Sequence, residues 1–236
     1  MEYSFETPLI NRLRRAFSSP LVLISSLFFL FSAAAYGIYA FVSVSAIMIL
    51  LSATALCAFL TGLTAFASAK RKDRKLPSAP LTFGAAASVV AAVGVIVAFN
   101  MFGRSCVRPT LLFLSSFGLL QTPIGEYSGY IATAAGVVYS LFSFLFLLTA
   151  AGSVRNNKPH TFFAGAYTAV ALVCACGLLF AAVYGTVMAT ADGITLTKEF
   201  IYTSLASLFS FASLFTSGLC GVKYIQMSGG GKNETV

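Results

Sequence analysis

The amino-acid sequence predicts an all-α, polytopic transmembrane bundle of six spans, and three observations carry that prediction. Charge is scarce: 9% of the 236 residues are Asp, Glu, Lys or Arg, against roughly 25% in a soluble domain. Hydrophobic residues make up 58% and gather in runs of about 20 or more, the length an α-helix needs to cross about 30 Å of hydrocarbon. The runs are continuous, whereas a transmembrane β-barrel would show alternating segments of about ten residues.

The runs mark spans at 20–40, 43–69, 81–103, 128–151, 161–190 and 200–222. None contains Lys, Arg, Asp, Glu or His, so all 22 charged residues fall in loops or ends. The spans form one transmembrane domain, 20–222, between an N-terminal segment, 1–19, and a tail, 223–236. The tail carries "SGGGKNETV" and is flexible by composition. "RLRRAFSSPLVLISSLFFLFSAAAYG" has the basic start, apolar stretch and small-residue patch of a cleavable signal peptide. Its apolar character continues from Tyr36 to Ala40 and into the next span, which favours an uncleaved anchor; cleavage is the alternative.

One stretch reads as hydrophilic: "AKRKDRKLPSAP", residues 69–80, where Lys70, Arg71, Lys72, Arg74 and Lys75 surround Asp73. Six spans place 12 of the 15 Lys and Arg on the side holding the chain's ends, 70–80 and 152–160, and three on the other. Cytoplasmic loops carry such an excess, so both ends are expected in the cytoplasm of a cell with this protein in its cytoplasmic membrane. The run, with Arg12, Arg14 and Arg15, is then a topological anchor. Each base near the surface also attracts anionic headgroups by about 1 kcal/mol, which makes the lipid bilayer the partner. The net charge of +8 calls for no nucleic acid, because nucleic-acid readers present charge on a folded soluble surface.

Pro20, Pro80 and Pro159 open the odd-numbered spans, where a missing N–H costs nothing. "PLTFGAA" (80–86) echoes "PHTFFAG" (159–165), "SLFSFLFLLTAAG" (140–152) echoes "SLFSFASLFTSG" (207–218), and "FLTGL" (59–63) echoes "FTSGL" (215–219). Two readings stand: three tandem helical hairpins, or chance matches in a chain rich in Phe, Ser, Leu and Thr. The segment 108–127 adds an apolar stretch between Pro109 and Pro123. It is too short to span; one reading is a re-entrant or interfacial lid on the outer surface, and the other a helix that fills a gap between spans.

Helices in lipid associate through close packing at small residues. Gly177, Ala181 and Gly185, Ala132 and Gly136, and Gly84 and Ser88 are the candidate packing positions. Tyr36, Tyr39, Tyr127, Tyr130 and Tyr202 fit an interfacial belt. Asn100, an amide inside a span, either bonds a neighbouring helix or lines a small site beneath 108–127.

Motifs for chemistry are missing from the sequence. Cys57, Cys174, Cys176 and Cys220 lie in spans and Cys106 in a loop, without a CxxC; this gives no disulfide or zinc pattern. His160 has no carboxylate neighbour in sequence, and no Walker loop, HExxH or nucleophile elbow occurs. Ion and proton pathways are marked by ionisable residues inside the membrane, and the spans hold none. The expectation is a non-catalytic protein without cofactor or metal, an accessory or assembly subunit that binds another membrane protein or itself. The alternative is a small transport or channel component for a neutral or apolar solute.

"GLTAFASAKRKDRKLPSAPLTFGAAASVV" and "RLRRAFSSPLVLISSLFF" resemble stretches of uncharacterised multi-pass membrane proteins of Clostridia-like Firmicutes, over about the first 100 residues. The resemblance implies a bacterial cytoplasmic membrane and brings no activity or functional residue.

Overall fold

The computed structural model describes residues 8–43, 46–71, 76–102, 123–158, 160–191 and 198–229. These form seven helices and no strand among the described residues: α1 (Pro8–Phe17), α2 (Pro20–Ser43), α3 (Ala46–Lys70), α4 (Ala79–Phe102), α5 (Pro123–Asn156), α6 (Phe162–Ala191) and α7 (Lys198–Gly229). Five carry windows long and apolar enough to cross a membrane: Pro20–Phe41, Ser52–Lys70, Ala134–Asn156, Phe162–Leu179 and Leu208–Ser228. The expected third span falls on α4, whose described apolar piece, Ala79–Val93, is shorter than a span. The 108–127 segment lies outside the described residues up to Pro123, where α5 begins.

Local chemistry sets the helix starts. Hydroxyl residues occupy the N-cap position of the three long helices that begin at the same end of the bundle. The Ser19 carbonyl accepts from Val22 N at 3.1 Å, the Ser78 carbonyl from Thr82 N at 3.1 Å, and the Thr161 carbonyl from Gly165 N at 3.0 Å. Such residues favour the non-helical backbone of an N-cap. Pro20 and Pro123 then stand first in α2 and α5, where proline is pre-set for a helix. At the end of α5, Asn157 adopts φ 54°. Asn tolerates this left-handed conformation and can stop a helix there as glycine does.

Each long helix packs on the next in sequence, and α7 packs back on α2, so the six close into a ring. The contacts within α2–α3, α4–α5 and α6–α7 are more extensive than those of α3 on α4 or α5 on α6. The main buried cluster gathers one end of this ring: Ala65 and Ala69 of α3, Leu81 of α4, Phe146, Ala150 and Val154 of α5, Ala164 and Tyr167 of α6, and Tyr224 of α7. Across that end lies α1, contributing Leu13 and Phe17 to the same cluster and resting on α3 and α7.

Two boundaries differ from the sequence expectation. The N-terminal segment holds a helix, because Leu9, Ile10, Leu13, Ala16 and Phe17 recur at helical spacing and make one apolar stripe. At the other end of the chain, α7 runs to Gly229 and takes in Lys223, rather than giving way to a flexible tail at 223. Tyr224 and Ser228 are buried on its packed face, and that packing holds the extra turns in place.

Two close contacts within these pairs share one construction, which recurs between α3 and α4, where Thr61 donates to Cys57 O at 2.8 Å and a Cβ on Gly84 would lie 2.8 Å from Thr61 Oγ1. In the first pair, the Ser26 hydroxyl donates to Val22 O at 2.7 Å, and a Cβ on Gly62 would lie 2.1 Å from Ser26 Oγ. In the third, the Thr168 hydroxyl donates to Ala164 O at 2.7 Å, and a Cβ on Gly221 would lie 2.2 Å from Thr168 Oγ1. Each hydroxyl is satisfied by its own helix, and glycine is the residue that lets the partner backbone approach it. The sequence echo "FLTGL"/"FTSGL" pairs Gly62 with Gly218, one turn away from the glycine that makes the equivalent contact.

Candidate functional site

The most organised polar feature of the bundle runs along α7. Ser210, Ser213, Ser217, Gly221, Tyr224 and Ser228 are all buried, and steps of three and four residues put them on one helix face. The stripe runs from Ser210 to Ser228, about 27 Å at 1.5 Å per residue.

Its partners come from α2, α5 and α6. Ser210 Oγ lies 3.1 Å from Ser32 Oγ and 2.8 Å from the Tyr36 hydroxyl. Ser213 donates to Ser210 O at 2.8 Å, and Ser217 to Leu214 O at 2.8 Å. Near Ser217 the hydroxyls of Tyr139 and Tyr167 meet at 3.4 Å. Further along, the Tyr224 hydroxyl donates to Ser153 Oγ at 3.3 Å. Ser153 itself donates to Thr149 O at 2.9 Å and accepts from His160 N at 3.3 Å.

Rings fill the space between these hydroxyls. Phe17 lies 6.1 Å from Tyr224, Tyr224 meets Phe146 edge-on at 5.2 Å, Phe146 stacks on Tyr167 at 4.8 Å, and Tyr167 lies 5.9 Å from Tyr139. The series leads from α1 into the bundle, each pair within the range where aromatic contacts are favourable. Every polar side chain in this interior array is a hydroxyl. Hydroxyls both donate and accept, so the array can bond neutral polar groups, and here it largely bonds itself.

The residues singled out in the sequence are placed as follows. Gly84 sits against Thr61, with room for no Cβ, and Ser88 donates to Gly84 O at 2.9 Å and meets Ser143 Oγ at 3.2 Å. Gly136 and Gly177 face open space within 4 Å, and Gly177 is exposed. The side chains of Ala132, Ala181, Gly185 and Asn100 lie outside the described residues. Tyr36 and Tyr39, expected at an interfacial belt, turn inward instead: Tyr36 bonds Ser210, and Tyr39 is buried.

Among the bases, Arg14 is buried and its Nη1 donates to the carbonyl oxygen of Arg71. A guanidinium at a helix C-terminus satisfies a carbonyl that lacks an intrahelical donor and opposes the negative end of the dipole. This joins two of the expected anchors, one on α1 and one just past α3. Arg12 is half-buried, while Arg15, Lys70 and Arg71 are exposed, with the Lys70 ammonium 5.2 Å from the Phe66 ring centroid. Lys72, Arg74 and Lys75 lie outside the described residues. Among the described residues no group of three or more His, Cys, Asp or Glu comes together.

The hydroxyl stripe escaped the sequence reading, although its spacing was there to find. Serines spread over a strongly apolar helix look like composition until their three-and-four rhythm is counted.

Helices of this length and apolarity, packed around neutral hydroxyls, define the class as helical integral membrane protein. No protein-family model, no curated protein and no solved structure matches the chain.

Proposed function

We propose that this is a non-catalytic, six-span protein of the cytoplasmic membrane that acts as an accessory or assembly subunit through its outer helix faces. The observation that carries the reading is the self-satisfied interior. Apart from the buried Ser19 hydroxyl, the hydroxyls of the α7 array bond one another or helix carbonyls, and rings fill the space between them, leaving the outer faces to meet partners. The sixth span is α4, whose 24 residues reach about 36 Å. Three tandem hairpins are supported by packing that is closer within pairs than at the α3–α4 and α5–α6 junctions and by the matching Ser26–Gly62 and Thr168–Gly221 contacts. The resemblance to membrane proteins of Clostridia-like Firmicutes supports a bacterial cell membrane.

Orientation follows from charge. Arg12, Arg14, Arg15, Lys70, Arg71, Arg155, Lys158 and Lys223 lie on α1 or on helix ends that meet it, and Lys198 begins α7 at the opposite end. The positive-inside rule puts the α1 end in the cytoplasm, and with it both ends of the chain. On a cysteine-free background in intact cells, cysteines at Arg15 and Lys158 are expected to resist a membrane-impermeant thiol reagent, and one at Lys198 to react. Labelling of the first two from outside would reverse the orientation.

Extraction in mild detergent is expected to recover the protein with a stoichiometric membrane partner, a second copy included. A strict monomer without partner would overturn the reading. The second reading, a conduit for a neutral solute, is favoured by one observation: the hydroxyl stripe is uncharged and about as long as the hydrocarbon is thick. Solute uptake into liposomes holding the oriented protein alone would support it over the first.

A further inference from the structure

We infer that the junction between α1 and the end of α3 is a binding site for the headgroup of an anionic phospholipid, with Arg15, Lys70 and Arg71 as its contacts. The first ground is that α1 is fixed in place. Leu13 is fully buried, Phe17 packs on Tyr224, and Arg14 bonds the Arg71 carbonyl. That bond brings residues 14–15 and 70–71 together, and Arg15, Lys70 and Arg71 are exposed at this junction, the Lys70 ammonium lying over the Phe66 ring.

The second ground is uncompensated charge. Residues 1–75 contain eight bases and three acids, so an excess of positive charge persists wherever those acids lie. The two described acids, Glu126 and Glu199, stand near the starts of α5 and α7, at the opposite end of the ring. Like charges gathered at one junction repel, and an anion placed among them relieves the repulsion.

The third ground is level. The apolar windows of α2 and α3 end here, at Pro20 and Lys70, which puts the junction where phosphates lie when the bundle spans a bilayer. A phosphodiester offers two charged oxygens to the forked donors of Arg15 and Arg71 and a point charge to Lys70. The inference rests on the spanning reading and is independent of the accessory role.

The test uses full-length protein in mild detergent, titrated with phosphatidylglycerol, phosphatidylcholine or inorganic phosphate and read by native mass spectrometry. Phosphatidylglycerol is expected to bind saturably, and phosphatidylcholine to bind at least tenfold more weakly. Arg15→Gln, Lys70→Gln and Arg71→Gln should each weaken phosphatidylglycerol about fivefold, with Lys198→Gln unchanged. Equal binding of phosphatidylcholine overturns the site. Displacement by millimolar phosphate also overturns it, in favour of a free-anion site. Equal losses in Lys198→Gln reduce it to diffuse attraction, and an unchanged triple variant sinks it outright. All four positions are exposed or at a helix end, and an unaltered melting curve confirms that each variant is folded. Resistance of the wild-type protein to carbonate extraction checks the spanning reading separately.

Discussion

Gly221→Leu is expected to abolish the folded bundle. A Cβ at this position would stand 2.2 Å from Thr168 Oγ1 and 3.4 Å from Thr168 Cβ. Thr168 has little freedom to retreat, since it is buried and its hydroxyl is bonded to Ala164 O. Overpacking a tight interior costs about 1–3 kcal/mol even when side chains can adjust. Here the α6 and α7 backbones must separate, and close backbone approach is what holds helices together in lipid. Loss of the monodisperse peak on size-exclusion chromatography, at temperatures where the wild-type protein keeps it, is the expected result. Gly177→Leu provides the contrast, because Gly177 faces open space, and it should melt within a degree or two of wild type. If the two leucine variants behave alike, the Gly221 contact has no energetic role. A cycle of Gly221→Ala, Thr168→Ala and the double variant should show the double to be less destabilised than the sum.

The second large effect is expected at Tyr224, where two substitutions separate packing from hydrogen bonding. Its ring lies against Phe17 and Phe146, and its hydroxyl reaches Ser153. Tyr224→Ala empties a site enclosed by α1, α5 and α7, for which losses of about 3–5 kcal/mol are usual with large aromatic side chains. Tyr224→Phe keeps the ring and gives up one interhelical hydrogen bond, worth on average about 0.6 kcal/mol in membrane bundles. Thermal melting in detergent should rank them far apart, and hydrogen exchange should show residues 8–17 opening faster in Tyr224→Ala alone. Equal losses in the two variants would mean that the bond to Ser153, rather than the ring, holds this end together.

The class of protein was legible because charge is the strongest signal a membrane imposes, and the spans of this chain exclude it. The rotation of each helix was not legible. A soluble helix declares its inner face through an apolar stripe, whereas helices apolar all round carry no such contrast. Gly177 and Gly221 are therefore alike in sequence, although one faces outward and the other receives Thr168. The same weakness turned Tyr36 and Tyr39 toward an expected interface when they point inward. In α1 the opposite situation held: its stripe of Leu9, Ile10, Leu13 and Phe17 is strongly amphipathic, yet ten residues beside a basic cluster were read only for charge. Of the bases expected to act as anchors, Arg14 and Arg71 were read for charge alone, and the bond between them was not legible. It joins residues 57 apart in sequence, and no local pattern encodes such a pairing.

The closure of α7 onto α2 has a consequence for how the chain is made. Ser32 and Tyr36 find their partner, Ser210, 178 and 174 residues downstream. A ribosome that has delivered α2 into the bilayer must therefore add the residues through α7 before those hydroxyls meet their mate. Until then the early helices face lipid with unfilled polar positions, a state that membrane quality control can recognise. Truncated products ending before α7 should be degraded quickly. Synthesis of α7 becomes the step that licenses α2.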